Sequence, residues 1–333
     1  MNTLITGGAG FIGSHLAELL LADGDDVYVL DDLSTGSLEN LECARDHPRL
    51  HVVVDSVLHP AIVNELVNKA DVVYHLAAAV GVKTIVEYPV RTLEVNLEGT
   101  RIVLDACCTF GRPVLIASTS EVYGDHRTEE PLRETSRRIY GATTQKRWAY
   151  ADSKAMDEFL ALAYREEHGL DAVIVRLFNT VGPRQTGRYG MVVPRFVGRA
   201  LHDEIIEIYG DGEQTRCFCH VSDTTRALRD LMTDLGWTAG EIFNVGAPNR
   251  TSILDLAHRV KELTGSASPM VHVPFEEVYG SGIDDMLHRV PCIDKVRRFI
   301  GWIPERSLED ILRDVIEYAG ARSRSEIREE VTA

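Results

Sequence analysis

Apolar and polar positions along the first half of the chain fall into two alternating periods. Leu4-Ile5 form a short apolar run, and Phe11, Ile12, Leu16, Leu19 and Leu20 follow at helical spacing. This predicts strand, turn and helix. Val27-Tyr28-Val29-Leu30 reads as the next strand. Further β-branched runs lie at 51–54, 71–76 and 113–118, with amphipathic stretches between them at about 61–69 and 90–109. A long helix is predicted over about 148–168, and a sixth strand over Ala172–Arg176. Such alternation predicts an α/β fold, a doubly wound parallel sheet with helices on both faces. After residue 178 the elements shorten and carry more Gly, Pro and Arg, as in Gly187–Arg195, Tyr209–Gly212 and Gln214–Val221. Helical patterns at 252–264 and 307–319 close the chain. The expected organisation is a first domain over 1–178, a smaller α/β domain over 179–320 interleaved with it, and a charged, frayed tail over 321–333.

Composition narrows the partners. The chain has 333 residues, 44% hydrophobic and 26% charged, an ordinary globular balance. A formal net charge of −16 argues against nucleic acid or an anionic membrane as partner. An anionic substrate would therefore need cations gathered in its pocket. Cys43, Cys107, Cys108, Cys217, Cys219 and Cys292 form no C-x-x-C and no Cys/His set of zinc spacing, so no metal is expected. They read as buried small hydrophobes of a reducing compartment. No apolar run approaches the roughly 20 residues of a membrane span. The first strand begins at the N-terminus and leaves no room for a signal peptide. A cytoplasmic protein is expected.

The densest chemical signal is Gly7-Gly8-Ala9-Gly10-Phe11-Ile12-Gly13, between the first strand and the first helix. Gly7 allows a tight turn, Gly10 lets backbone amides approach a pyrophosphate, and Gly13 lets the helix pack on the sheet. A helix N-terminus favours the phosphates through its unpaired amides and its dipole. Asp31 ends the next strand, where its carboxylate would accept from an adenosine ribose hydroxyl and repel a 2′-phosphate. NAD is the expected cofactor, held by Gly7, Gly10, Phe11, Ile12, Gly13, Asp31, Asp32, Ser34, Thr35 and Gly36. In such sheets ligands lie at the carboxyl ends of the strands. Asp55 and Ser56 are then placed to meet the adenine, and Leu76, Ala77 and Ala78 to let ribose and phosphates lie close.

Tyr150 and Lys154 stand four apart on a predicted helix and share a face. A phenol near pKa 10 is a poor base at neutral pH. A nearby lysine cation stabilises the phenolate and brings it into range. Thr119 or Ser120, at a neighbouring strand end, can bind the substrate's hydroxyl oxygen. Such a trio removes an O–H proton while hydride leaves the same carbon for a nicotinamide. The polar loop over 125–147, with Arg133, Arg137, Arg138, Lys146 and Arg147, reads as either a solvated loop or a flap over the site. His220, Cys217 and Cys219 read as packed strand residues.

Gly7–Gly13, Ser118–Gly124, Tyr150–Lys154 and Phe178–Arg184 together resemble the extended short-chain dehydrogenase/reductase superfamily, in its nucleotide-sugar branch. The likeness runs to about residue 320. It implies a Rossmann domain holding NAD tightly, a nucleotide diphosphate sugar in the second domain, and a homodimer joined by a four-helix bundle from the helices near 90–109 and 148–168. Members of this branch share oxidation of the sugar C4 hydroxyl and differ afterwards. A 4,6-dehydratase carries an Asp-Glu pair where this chain has Ser120-Glu121. A 4-epimerase often has small residues at Glu121. A non-catalytic dinucleotide sensor tends to lose the tyrosine or lysine, and both are present.

Thr119-Ser120-Glu121 matches the UDP-glucuronate decarboxylases of this branch. Lys146–Tyr150 and Tyr279–Pro291 resemble segments of the decarboxylase half of the bacterial enzyme that prepares aminoarabinose for lipid A. That likeness puts Arg289 near the sugar C5. The loop Val80–Tyr88, with Lys83, departs from the tyrosine-bearing loop of UDP-xylose synthases. The resemblance implies that the substrate is a UDP-sugar, with Lys83, Asn179, Arg195, Tyr209, Gln214, Arg216 and Arg289 as its contacts. Asn179, Arg216 and Arg289 are the candidates for the diphosphate, Tyr209 for stacking on the base, and Gln214 and Arg195 for polar contacts. The expected reaction is C4 oxidation of UDP-glucuronate, loss of CO2, and reduction to UDP-xylose or release of the 4-keto-pentose. A UDP-sugar 4-epimerase is the alternative, then a 4,6-dehydratase.

Overall fold

The computed structural model describes residues 1–80, 87–126, 130–187, 191–274, 277 and 289–332. Six strands follow the predicted runs: β1 (Asn2–Thr6), β2 (Asp26–Asp31), β3 (Leu50–Val54), β4 (Val72–His75), β5 (Val114–Thr119) and β6 (Ala172–Leu177). Helices α1 (Phe11–Ala22), α2 (Pro60–Lys69), α3 (Gly99–Phe110) and α4 (Arg147–His168) connect or cover them. The sheet is parallel throughout, in the order β6, β5, β4, β1, β2, β3. The strand order reverses between β1 and β4, which opens a crevice at the carboxyl ends.

The two-residue period of the strands sorts their side chains between two cores. Ile5, Val27, Val29 and Leu115 pack with Leu16, Ala17 and Leu20 of α1. Leu4, Leu30, Val114 and Ile116 face the other way, onto Val63, Leu66 and Val67 of α2 and Ile102 and Val103 of α3. Burial on both faces explains why these strands read as continuous apolar runs rather than alternating ones. A third core lies in the later half of the chain, where Phe196, Ile206, Ile208, Leu256 and Ile311 meet.

Several features lie outside the sequence reading. Ile242–Val245 joins the sheet as a seventh parallel strand beside β6, pairing Ile242 with Ile174. Four residues carry too little period to announce that pairing, which a partner remote in sequence selects. The last helix runs Leu308–Thr332, through the stretch expected to fray. Ahead of α3 the chain makes a π turn over Glu94–Glu98. The cysteines are all unbridged, but Cys43 is exposed in a short 3-10 turn at the surface and Cys108 is only half-buried. No helix among the described residues is long and apolar enough to cross a membrane. No cluster of metal-ligating side chains occurs among the described residues.

Candidate active site

A cleft of about 1610 Å³ opens over the carboxyl ends of the strands. Its floor is the glycine turn. Gly7 has φ +73°, and a Cβ there would meet Ala77 N at 2.7 Å. A Cβ on Gly13 would run into the backbone of Gly7 and Gly8, so α1 packs directly on the turn. Gly10 caps α1 and, having no side chain, leaves the helix without a side-chain N-cap. Uncapped amides beside a backbone that admits no Cβ fit a pyrophosphate. Gly7, Gly10, Phe11, Ile12 and Gly13 all line the cleft.

Asp31 lines it too, and is only 8% exposed. Its carboxylate accepts from Ala9 N and Leu33 N, each at 2.9 Å, so it ties the glycine turn to the end of β2. Burial pushes its pKa up, against the pull of those two amides. Two lone pairs per oxygen leave capacity for ribose hydroxyls. Asp32, Ser34, Thr35, Gly36, Asp55, Leu76, Ala77 and Ala78 also line the cleft. Ser56 does not: its hydroxyl accepts from Leu58 N at 3.2 Å and closes a local turn, and Val57 reaches the wall instead. Lys83 lies outside the described residues.

The reacting centre is built on the end of β5 and the start of α4. Ser118 donates to Glu158 at 2.5 Å, and Glu158 takes a forked pair of bonds from Arg176 of β6 at 2.9 and 2.7 Å. This buried pair fixes the floor beneath Thr119. Thr119 then caps the turn Ser120–Tyr123 by accepting from Glu121 N at 3.2 Å. Its hydroxyl lies near enough to the Tyr150 phenol to pull that group's pKa down. Thr119, Ser120, Glu121, Tyr150, Lys154 and Arg289 all reach the cleft. Arg289 arrives from far along the chain and donates from Nη1 to Ser120 Oγ and Glu121 Oε1, both at 3.3 Å.

Two features of this centre depart from the expectation. The Lys154 ammonium makes its short contact with Asp157 Oδ2, at 2.7 Å, on the same helix. The Tyr150 pKa is raised, chiefly by burial and then by the Glu121 charge, while Thr119 and Arg289 hold it down. The base therefore depends on added positive charge to work near neutrality.

The other half of the cleft gathers the substrate candidates. Asn179, Arg195, Tyr209, Gln214 and Arg216 all line it. Asn179 Nδ2 donates to Cys217 O at 3.1 Å and Arg216 Nη1 to Thr215 O at 2.9 Å. Gln214 Nε2 donates to Tyr209 O at 2.8 Å, and its Oε1 is buried without a hydrogen-bond partner. The Arg195 guanidinium lies 3.9 Å from the Tyr209 ring centroid, so one face of that ring is already covered. The arginines of the 125–147 loop that are described do not line the cleft. Arg138 pairs with Asp152 at 2.8 Å, and Arg133 faces Asp294 at 3.4 Å.

Sequence reasoning missed the last helix as a wall. Tyr318 and Arg322 line the cleft, and Arg322 donates to Glu39 at 2.9 Å, in the loop after β2. Their spacing of four carried a signal that the charged surroundings hid. It also missed Arg184, which has φ +70° and pairs with Glu18 of α1 at 2.5 Å.

Residues 4–315 match the family model described as GDP-mannose 4,6 dehydratase. The chain is 42% identical over 316 residues to the UDP-N-acetyl-alpha-D-glucosaminuronate decarboxylase of Bacillus cytotoxicus, covering 95% of this chain and 96% of that one. It is 36% identical to UDP-glucuronic acid decarboxylase 6 of Arabidopsis thaliana, over 93% and 86% of the two chains. Among solved structures, the UDP-glucose 4-epimerase of Thermus thermophilus in complex with NAD superposes with a TM-score of 0.84 at 30% identity, over 96% and 99%.

Proposed function

This chain belongs to the GDP-mannose 4,6-dehydratase family, the extended short-chain dehydrogenase/reductases acting on nucleotide sugars, and within its uronate decarboxylases we propose that it removes the C6 carboxylate of a UDP-hexuronate. NAD is the cofactor, held by the Gly7–Gly13 turn and Asp31. When bound it supplies the hydride acceptor, and later the donor, at the sugar C4.

The observation that carries the reading is the meeting of Thr119, Tyr150, Glu121 and Arg289 in one cleft. Tyr150 takes the C4 hydroxyl proton, and Thr119 orients that oxygen. The resulting C4 ketone makes the C6 carboxylate a β-keto acid. Breaking C5–C6 releases CO2 and leaves its electron pair as an enolate on the C4 oxygen, where Tyr150 and Thr119 donate. Arg289 faces the carboxylate end, and Glu121, Ser120 or a water between them returns a proton to C5. Hydride return gives the pentose, so the net reaction is that of a lyase. Asn179 and Arg216 are read as diphosphate contacts, with Gln214, Arg195 and Tyr209 around the base.

UDP-glucuronate is the substrate that the residue pattern names. The 42% relative favours a second reading, in which the uronate carries a 2-acetamido group, and its higher identity gives that form the greater support. Parallel incubation of the NAD-loaded protein with UDP-glucuronate and UDP-N-acetylglucosaminuronate tests both. CO2 with a UDP-pentose from either supports the proposal. Retained C6, with only an inverted C4, overturns it in favour of an epimerase.

The reading includes a homodimer through α3 and α4, because Met156 and Phe159 stand 48% and 57% exposed on α4. Sedimentation equilibrium checks it. Six unbridged cysteines support a reducing, cytoplasmic setting.

A further inference from the structure

Asp157 is 0% exposed and lies three residues after Lys154 on α4, with its Oδ2 at 2.7 Å from the Lys154 ammonium. A buried carboxylate is costly unless something holds it, and a carboxylate beside a catalytic cation alters that cation's reach. Its second oxygen, Oδ1, meets no partner at normal hydrogen-bond geometry, and burial pushes the carboxyl pKa up against the pull of Lys154 and the nearby Thr100 hydroxyl.

Thr100 is itself one link in a buried line. Its Oγ1 lies 3.0 Å from His75 Nε2, and His75 Nδ1 lies 2.8 Å from Thr6 Oγ1. Thr6, His75 and Thr100 are all 1% exposed or less. Thr6 precedes the glycine turn, and parallel pairing sets it beside His75. Burial holds His75 neutral, with its pKa pushed down to about 3. The line therefore carries no charge up to Thr100, which stands beside the Asp157–Lys154 pair. A parallel strut runs beside it: Asn96, in the π turn, donates to Ser153 at 3.1 Å and accepts from Ala79 N at 2.8 Å.

We infer that Asp157 is a positioning residue, which holds the Lys154 ammonium in one place on α4 and limits how much of its positive charge the Tyr150 phenol feels. The inference rests on Tyr150 and Lys154 as the base pair and is independent of the decarboxylation step. The charged groups facing this pair are Glu121 and Arg289 from the cleft, Glu158 from α4 and the neutral His75 from β4. None of these replaces the Asp157 charge.

The test is a titration rather than a rate. NAD-loaded protein carrying [13Cζ]tyrosine is titrated by NMR, with Tyr150→Phe identifying the signal. Asp157→Asn removes the charge and keeps the shape. Its Tyr150 transition is expected about one pH unit lower than in the wild type. Asp157→Ser gives the same direction where the amide variant fails to fold. A lower melting temperature with an unmoved Tyr150 transition overturns the inference, because that is what a purely structural aspartate would give. Failure of the base-pair reading shows differently, as normal turnover in Tyr150→Phe.

Discussion

Arg289 reaches across 168 residues of chain to place Nη1 3.3 Å from Glu121 Oε1. The two act on Tyr150 in opposite senses, since Glu121 raises its pKa and Arg289 lowers it. Glu121→Gln should move the pH profile of C4 oxidation to lower pH while slowing CO2 release or the C5 protonation that follows. Arg289→Ala should move the oxidation profile to higher pH and leave a part-buried Glu121 without this ion pair. Single-turnover reduction of the bound cofactor, followed against pH, reads both. Shifts in the same direction would break the assignment.

Tyr150→Phe removes the proton acceptor and leaves the ring's packing. Reduction of the bound cofactor by UDP-uronate should fall by roughly 10²–10⁴-fold, the usual worth of a positioned base. Thr119→Val removes a hydroxyl that pulls the phenol pKa down and should slow the same step by about tenfold. Absorbance of the reduced nicotinamide in a single turnover measures both. Undiminished reduction in the phenylalanine variant would remove Tyr150 from the mechanism.

The first six strands and the helices between them were legible because local period and sheet burial agree there. Leu4 and Ile5 already announce two packed faces. Helical spacing placed Tyr150 and Lys154 on one helix, and both line the cleft, but their contacts were not legible. Asp157 had no reason in the sequence to be preferred over Tyr150 as the contact of Lys154, since both lie within a turn of it. Ser56 was expected in the cleft from its place after a strand, yet a turn of one residue swings it away and brings Val57 in. Arg289 was placed by resemblance alone, because no local pattern ties a late loop to the end of β5.

Gly7 and Gly111 separate conformational strain from crowding. Both have positive φ, +73° and +62°. A Cβ on Gly7 meets backbone at 2.7 Å, whereas nothing lies within 4 Å of one on Gly111. Gly111→Ala should cost only the left-handed conformation, about 1–2 kcal/mol. Gly7→Ala must also push the β4 end away from the turn, so it should cost more and lose bound NAD. Denaturant midpoints and the NAD content of the purified variants check this. Equal destabilisation, with NAD retained in both, would show that the turn yields easily.

His15 and His75 make the fold sensitive to mild acid. Burial lowers the His15 pKa to about 4 and the His75 pKa to about 3. Both lie below the ordinary value of about 6.5, so the unfolded chain binds protons first as pH falls. Their stabilisation is full above about pH 6.5 and declines towards pH 4 for His15 and pH 3 for His75. Each neutral histidine should cost about 1.4 kcal/mol per pH unit in that window. The buried carboxyl of Asp31 works the other way, since its raised pKa favours the fold in acid. Between pH 7.5 and 5.5 the histidines should therefore dominate, with a fall in Tm of roughly 5 °C. His15→Gln can still donate to Pro183 O, where His15 Nε2 now bonds at 3.0 Å, and should lose about half of that fall. Scanning calorimetry across this range decides it, and a flat Tm would mean that these rings are hydrated in solution.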